Sequence, residues 1–228
     1  MIDIYRENGI DISGETYEKL CAFSAFLREY NRKVNLTSIT DDRDIHIKHF
    51  YDSIRGEKFF KKNAFVVEIG SGGGFPSVPL MLYREDLNFV LVEATGKKCA
   101  FLKEVVEKFN LRATVINARA EDLAKDARYR EKFDVCCARA VARLNTLCEY
   151  CLPFVKKGGI FAAYKGDAEE EILQAENALK ILGGRIVSEE RYELPQNEGA
   201  RTVVAVEKVE KTPEKYPRGR GKERTSPL

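Results

Sequence analysis

The stretch that decides the fold is Phe65-Val66-Val67-Glu68-Ile69-Gly70-Ser71-Gly72-Gly73-Gly74-Phe75-Pro76. A β-branched run enters a glycine cluster and leaves through proline, which predicts a strand, a tight loop and a helix in succession. Glycines in such a loop let the backbone turn sharply and approach a ligand where a β-carbon would intrude. The dinucleotide fingerprint requires glycine at its first, third and sixth positions to seat a pyrophosphate. Here the sixth position is Phe75, so the spacing is GxGxG and the room for a pyrophosphate shrinks. The loop suits a ligand without phosphates, an adenosine carrying an amino-acid tail, which is S-adenosylmethionine. Gly70, Gly72, Gly74 and Phe75 are the expected cradle.

Outward from this loop the texture alternates. Strands are expected at Asn88–Glu93, Ala113–Asn117, Phe133–Cys137 and Gly159–Tyr164, with helices at Lys97–Asn110 and Ala168–Leu182. Two more strands, Arg185–Tyr192 and Arg201–Glu207, are joined through Pro195-Gln196-Asn197-Glu198-Gly199 with no helix and should pair antiparallel. The fold class is therefore α/β, a Rossmann-like, mostly parallel seven-stranded sheet with an antiparallel last strand. Upstream, Tyr17, Leu20, Cys21, Phe23, Ser24, Phe26, Leu27 and Tyr30 recur with helical spacing, and a second helical stretch follows Asp41-Asp42. The expected organisation is a helical extension over 1–62, the sheet domain over 63–208 and a basic tail over 209–228.

Ligands of open α/β sheets bind beyond the carboxyl ends of the strands. Glu93 closes the second strand about twenty residues after the glycine loop, where a carboxylate accepts from both ribose hydroxyls. Asn117 to Asp122, after the third strand, borders the expected adenine site. Arg139 closes the fourth strand, where the transferring methyl should sit, and is the candidate for orienting the base or the cofactor carboxylate. His49 and Asp52 share a helix face. They are either a base-facing pair or a structural link between extension and sheet.

Composition bounds the remaining possibilities. The chain has 228 residues, 44% hydrophobic and 32% charged, with no apolar run long enough for a membrane span. The first residues carry acids where a secretory signal needs bases, so a cytoplasmic location is expected. Of six cysteines only Cys148 and Cys151 have CxxC spacing, and no second pair or nearby histidine completes a zinc set, so no metal is expected. The pair lies in Leu144–Val155, which reads as a buried helix. The net charge is only +2, but from Lys208 onward seven bases face three acids, and bases also prevail between Arg28 and Lys62. Such local excess marks either an anionic partner or a solvated tail.

Several further motifs, taken together with the loop, resemble one family. They are Val34-Asn35-Leu36-Thr37, His49-Phe50-Tyr51-Asp52-Ser53, Pro79-Leu80, Lys97-Lys98 with Phe101-Leu102, Phe133-Asp134, and Ala138-Arg139-Ala140-Val141-Ala142. Tyr164-Lys165-Gly166, Tyr216-Pro217-Arg218 and the final Pro227-Leu228 complete the set. The chain is similar over nearly its whole length to the bacterial small-subunit rRNA guanine-N7 methyltransferases, also called glucose-inhibited division protein B. The resemblance implies methyl transfer from S-adenosylmethionine to N7 of guanine 527 in 16S rRNA, with the rRNA or the small subunit as partner. By position it assigns Gly70 and Phe75 to the cofactor loop and Glu93, Ala94 and Thr95 to the ribose edge. Ala120 and Glu121 fall at the adenine edge, and Arg139 beside the cofactor. Ser77 departs from the glycine that many members carry, and the tail from Gly219 to Ser226 is only loosely similar.

Lys165 and Arg143 are candidate phosphate contacts, as are Lys97, Arg218 and Arg220. N7 of guanine has a free lone pair, so no general base is expected. A monomer is expected. Two other functions remain open at this point: a nucleotide-dependent oxidoreductase, disfavoured by Phe75 and the final strand pair, and a ribosome-assembly module that binds cofactor without turnover.

Overall fold

The computed structural model describes residues 1–228. Seven strands form one sheet: β1 (Phe65–Ile69), β2 (Asn88–Glu93), β3 (Ala113–Asn117), β4 (Phe133–Arg139), β5 (Val155–Lys165), β6 (Gly184–Glu193) and β7 (Ala200–Lys208). Their spatial order is β3-β2-β1-β4-β5-β7-β6. The first five are mutually parallel, and β7 inserts antiparallel between β5 and β6. The chain turns back at β1 and strikes out the other way at β4, so the strand order reverses between them. That is where open sheets leave a crevice.

Side chains on successive strand residues go to opposite faces. Val66, Leu91, Val135, Cys137, Ala162 and Val203 enter one core, while Val67, Val92, Cys136, Phe161, Ala163 and Val204 enter the other. Helices α1 (Ile2–Glu7), α2 (Gly14–Asn31), α3 (Asp42–Ile45) and α4 (Asp52–Arg55) cover the first face, with one π-helical turn, His46–Tyr51, joining α3 to α4. The Ser13 hydroxyl caps α2 by accepting from the Thr16 amide at 3.0 Å, and Asp41 caps α3 through the Asp44 amide. Leu20, Phe23, Leu27, Ile45 and Phe50 belong to the same apolar cluster as the strand residues. The extension over 1–62 therefore supplies 12 of the 31 buried residues of this cluster and shares its core with the sheet.

Helices α5 (Ser77–Tyr83), α6 (Gly96–Lys108), α7 (Ala120–Leu123), α8 (Leu144–Cys151), α9 (Glu169–Gln174), α10 (Glu176–Leu182) and α11 (Lys222–Thr225) complete the fold. The helix expected over Ala168–Leu182 is two pieces meeting at Ala175, whose ψ of −6° flattens the turn there. β5 begins four residues earlier than its apolar pattern, because Val155 pairs with Phe133 across an irregularity in the ladder. The segment Leu144–Cys151 is a helix with Cys148 and Cys151 buried as free thiols. The tail is docked instead of solvated: Tyr216 and Glu223 are buried, and Leu228 packs against the second core. No helix is long and apolar enough to cross a membrane.

Candidate functional site

Two cavities open at the carboxyl ends of the central strands, on either side of the segment that follows β4. The first, about 160 Å³, is lined by Ile69, Gly70, Val92, Glu93, Ala94, Ala118, Arg119, Ala120, Glu121, Val141, Tyr150 and Arg224. Its floor is the glycine loop. Gly70 has φ +72°, and a β-carbon there would lie 2.6 Å from Val141 Cγ2, so glycine is required both by conformation and by space. The Glu93 carboxylate accepts from the Gly72 amide at 3.0 Å and from the Thr95 amide at 2.7 Å, one oxygen each. An ionised carboxylate has lone pairs beyond those two bonds. Fixed by two backbone donors at the cavity wall, it is oriented to accept further hydroxyls.

Of the residues assigned to the cofactor, Gly70, Glu93, Ala94, Ala120 and Glu121 line this cavity, and Gly72 and Thr95 hold Glu93. Gly74 packs on Val78 and Leu102 instead. Phe75 turns away into the extension, where its ring stacks on His49 with centroids 4.2 Å apart and lies near Phe23 and Phe50. The bulky residue that breaks the dinucleotide fingerprint thus anchors the helical extension to the loop.

The second cavity, about 330 Å³, is lined by Ile39, Lys48, His49, Asp52, Arg139, Ala140, Tyr164, Lys165, Gly166, Glu171 and Arg201. Arg139 lines this cavity, next to the segment Ala140–Val141 that separates it from the first. One guanidinium nitrogen donates to Asp52 Oδ2 at 2.8 Å and to the Lys48 carbonyl at 3.1 Å. The other donates to His49 Nδ1 at 2.9 Å. Its charge also sits 4.9 Å from the Phe75 ring centroid, a cation–π distance. Tyr192 donates to Asp52 Oδ1 at 2.8 Å. His49 and Asp52 do link extension to sheet, and they do so through Arg139, which they hold at the cavity wall.

Nδ1 of His49 lies 2.9 Å from the Arg139 guanidinium and 3.2 Å from the Lys48 carbonyl, and the shorter contact is the one to arginine. Arginine can only donate, so Nδ1 accepts, and Nε2–H donates to Thr37 Oγ1 at 2.8 Å. Burial and then the Arg139 charge bring its pKa down to about 3. Both ring nitrogens are committed, and the imidazole has no role as a proton acceptor for substrate. Beneath the glycine loop, Glu68 is fully buried and accepts from the Ser77 amide at 3.2 Å and the Ser77 hydroxyl at 2.6 Å. Burial pushes its pKa up to about 7, against the lowering effect of Ser77. The Ser77 hydroxyl is a donor to this buried acid.

The five candidate phosphate contacts fall into two groups. Lys97 and Arg220 are exposed, and Arg143 is exposed with a 3.5 Å approach to Glu170. Lys165 is instead tied to Glu171 at 2.6 Å and to the Ala142 carbonyl at 2.9 Å. Arg218 is forked onto the buried Glu149, with bonds of 2.7–3.2 Å. Those two cations have partners within the chain. Lys165 still lines the second cavity, but Arg218 is a structural residue of the tail. Val141, Tyr150, Arg224 and Arg201, to which the sequence alone assigns no site role, each line one of the cavities.

The model of the family described as rRNA small subunit methyltransferase G matches residues 16–197. The ribosomal RNA small subunit methyltransferase G of Lactobacillus acidophilus is 41% identical, over 97% of this chain and 95% of the relative. That of Acetivibrio thermocellus is 42% identical, over 96% of this chain and 92% of its own. Among solved structures, M. jannaschii TYW2 in complex with AdoMet aligns with a TM-score of 0.52 at 17% identity, covering 69% of this chain and 77% of its own. The precorrin-6y C5,15-methyltransferase of Geobacter metallireducens aligns at 0.51 and 11% identity, covering 77% and 91%. At such identities the structures speak for the fold alone.

Proposed function

Because the chain belongs to the rRNA small subunit methyltransferase G family, we propose that it methylates N7 of guanine 527 in 16S rRNA. The enzyme is an rRNA methyltransferase that uses S-adenosylmethionine. The observation that carries the site assignment is the pair of cavities meeting at Arg139, Ala140 and Val141: Arg139 and Ala140 line one, Val141 lines the other. The fixed Glu93 carboxylate and the glycine floor fit an adenosine with its ribose, and the space a Gly70 β-carbon would need is already taken by Val141. Glu93 would hold the ribose hydroxyls, Ala120 and Glu121 the adenine edge, and Gly70 the approach of the cofactor to the loop.

When bound, the cofactor supplies an electrophilic methyl on a sulfonium, which the guanine N7 lone pair takes without first losing a proton. The residues around the second cavity match that chemistry. His49 is locked neutral by Arg139 and Thr37, and Asp52 is occupied by Arg139 and Tyr192. What these residues do is fix a planar cation at the wall where the base would sit. Positioning of two reactants at near-attack distance contributes most of the acceleration open to such a reaction. Arg201, on the same rim, offers positive charge to the phosphates that flank an extruded or single-stranded guanine, whereas Lys48 is held by Asp44 and Glu198, each at 2.9 Å. Exposed Lys97, Arg143 and Arg220 extend that charge outward.

The test is methyl transfer from labelled S-adenosylmethionine to intact small subunits and to bare 16S rRNA, followed by mapping of the modified nucleotide. One N7-methylguanine at position 527 is expected. Transfer to another nucleotide, or to none, would refute the assignment.

A further inference from the structure

The carboxyl-terminal segment reaches the cofactor cavity by a route that no local pattern in the chain announces. Arg130 donates to the carbonyls of Thr212 and Tyr216, both at 2.9 Å, and so holds the start of the tail against the loop before β4. Arg218 then engages Glu149 on α8, a carboxylate only 1% exposed, through its main-chain amide and both sides of its guanidinium. Thr146, one turn earlier on α8, donates to the Glu223 carbonyl at 2.9 Å, and the Glu223 carboxylate takes the Gly219 amide. The next residue is Arg224. It lies in the cavity wall together with Tyr150, the neighbour of Glu149. Glu121, on α7, lines the same cavity.

We infer that residues 209–228 form a strap latched to α8 by Arg218 and Glu149, and that Arg224 is a cofactor-contacting residue closing the adenine end of the cavity. The inference rests on the cofactor assignment above. Its chemistry follows from the wall. At the ribose end the cavity offers a carboxylate acceptor. At the far end it offers a phenol and a guanidinium, whose planar, weakly hydrated cation stacks on aromatic rings and donates to ring nitrogens. An adenine presents both a π-face and ring-nitrogen acceptors. Arg224 is exposed, so its removal leaves no buried charge, whereas removal of Arg218 strands Glu149 in the core.

Calorimetric titration of the full-length protein with S-adenosylhomocysteine separates the possibilities. Wild type is expected to bind. Arg224→Ala should weaken binding about tenfold, equivalent to about 1.4 kcal/mol, with the melting temperature of the free protein unchanged. Arg224→Lys should not restore affinity, because an ammonium cannot stack as a planar fork. Arg218→Ala should weaken binding while also lowering the melting temperature, and Arg218→Lys should recover part of the melting temperature. Equal affinity in wild type and Arg224→Ala would overturn the strap. So would a loss confined to 16S rRNA binding, which would place Arg224 against nucleic acid. No binding by wild type would refute the cofactor assignment itself.

Discussion

The two histidines and Glu68 make opposite demands on pH, and their balance can be isolated by one substitution. These are the only two histidines in the chain. Burial lowers His46 from 6.5 to about 4, and burial with the Arg139 charge lowers His49 from 6.5 to about 3. A base with a depressed folded pKa binds its proton first in the unfolded chain, so stability is lost as pH falls below 6.5. Glu68 runs the other way. Its pKa is raised from 4.5 to about 7 by burial, the folded state takes up the proton first, and stability is gained as pH falls from 7 towards 4.5. At about 1.4 kcal/mol per pH unit per group, lowering pH from about 7.5 to about 5 costs about 3–4 kcal/mol through the histidines, His49 giving less because one edge meets the cavity. Glu68 returns about 2 kcal/mol over the same interval. The net loss in wild type is about 1–2 kcal/mol. Asp86 and Asp134, held below the usual carboxylate range chiefly by their arginine and lysine partners against burial, act only at lower pH. Glu68→Gln keeps the shape and an acceptor for Ser77 while removing the titration. It should be more stable than wild type near pH 8, and lose the full about 3–4 kcal/mol by about pH 5. Urea unfolding at several pH values measures both slopes, and imidazole NMR reports the histidines directly. Parallel slopes for wild type and Glu68→Gln, or a histidine midpoint near 6.5, would refute the reasoning.

Arg139→Lys should lower methyl transfer at least about 100-fold, because an ammonium cannot bridge Asp52, His49 and Lys48 at once. Affinity for S-adenosylhomocysteine should stay within about threefold, since Arg139 lines the other cavity; an equal loss of both would move it to the cofactor. Gly70→Ala should abolish cofactor binding in calorimetry, as the new methyl meets Val141 and the φ of +72° is strained for any other residue. Affinity for 16S rRNA should fall steeply with salt if Arg201, Lys97, Arg143 and Arg220 bind phosphate, and a flat salt dependence in a filter-binding assay would exclude that role.

What the chain disclosed by itself was whatever depends on neighbours in sequence. The glycine loop, the strand-end Glu93 and the edge residues Ala120 and Glu121 were legible because a strand, a turn and a helix are written in consecutive residues. Antiparallel pairing of β6 and β7 was legible because Pro195 to Gly199 leaves no room for a crossover helix. The cage around Arg139 was not, because its partners Asp52 and His49 lie 87 and 90 residues away. The π turn that brings His49 onto Phe75 is a one-residue change of helical phase that apolar spacing does not encode.

The docking of the tail was not legible for a related reason. Charge counting treats seven bases as interchangeable, yet two of them are committed within the chain, Lys208 to Glu131 and Arg218 to Glu149 across 69 residues. A signal did exist. In Leu144-Asn145-Thr146-Leu147-Cys148-Glu149-Tyr150-Cys151 a single acid sits in a helix that is otherwise apolar or small, and a buried carboxylate needs a cation or several donors. That requirement says a partner must come from elsewhere in the chain, though not which one. The structure supplies it from the segment after β7, and the same contact sets Arg224 beside Tyr150. Residues that complete the first cavity are therefore placed by the pairing of a core acid with a terminal arginine, and a reading based on strand ends alone stops one wall short.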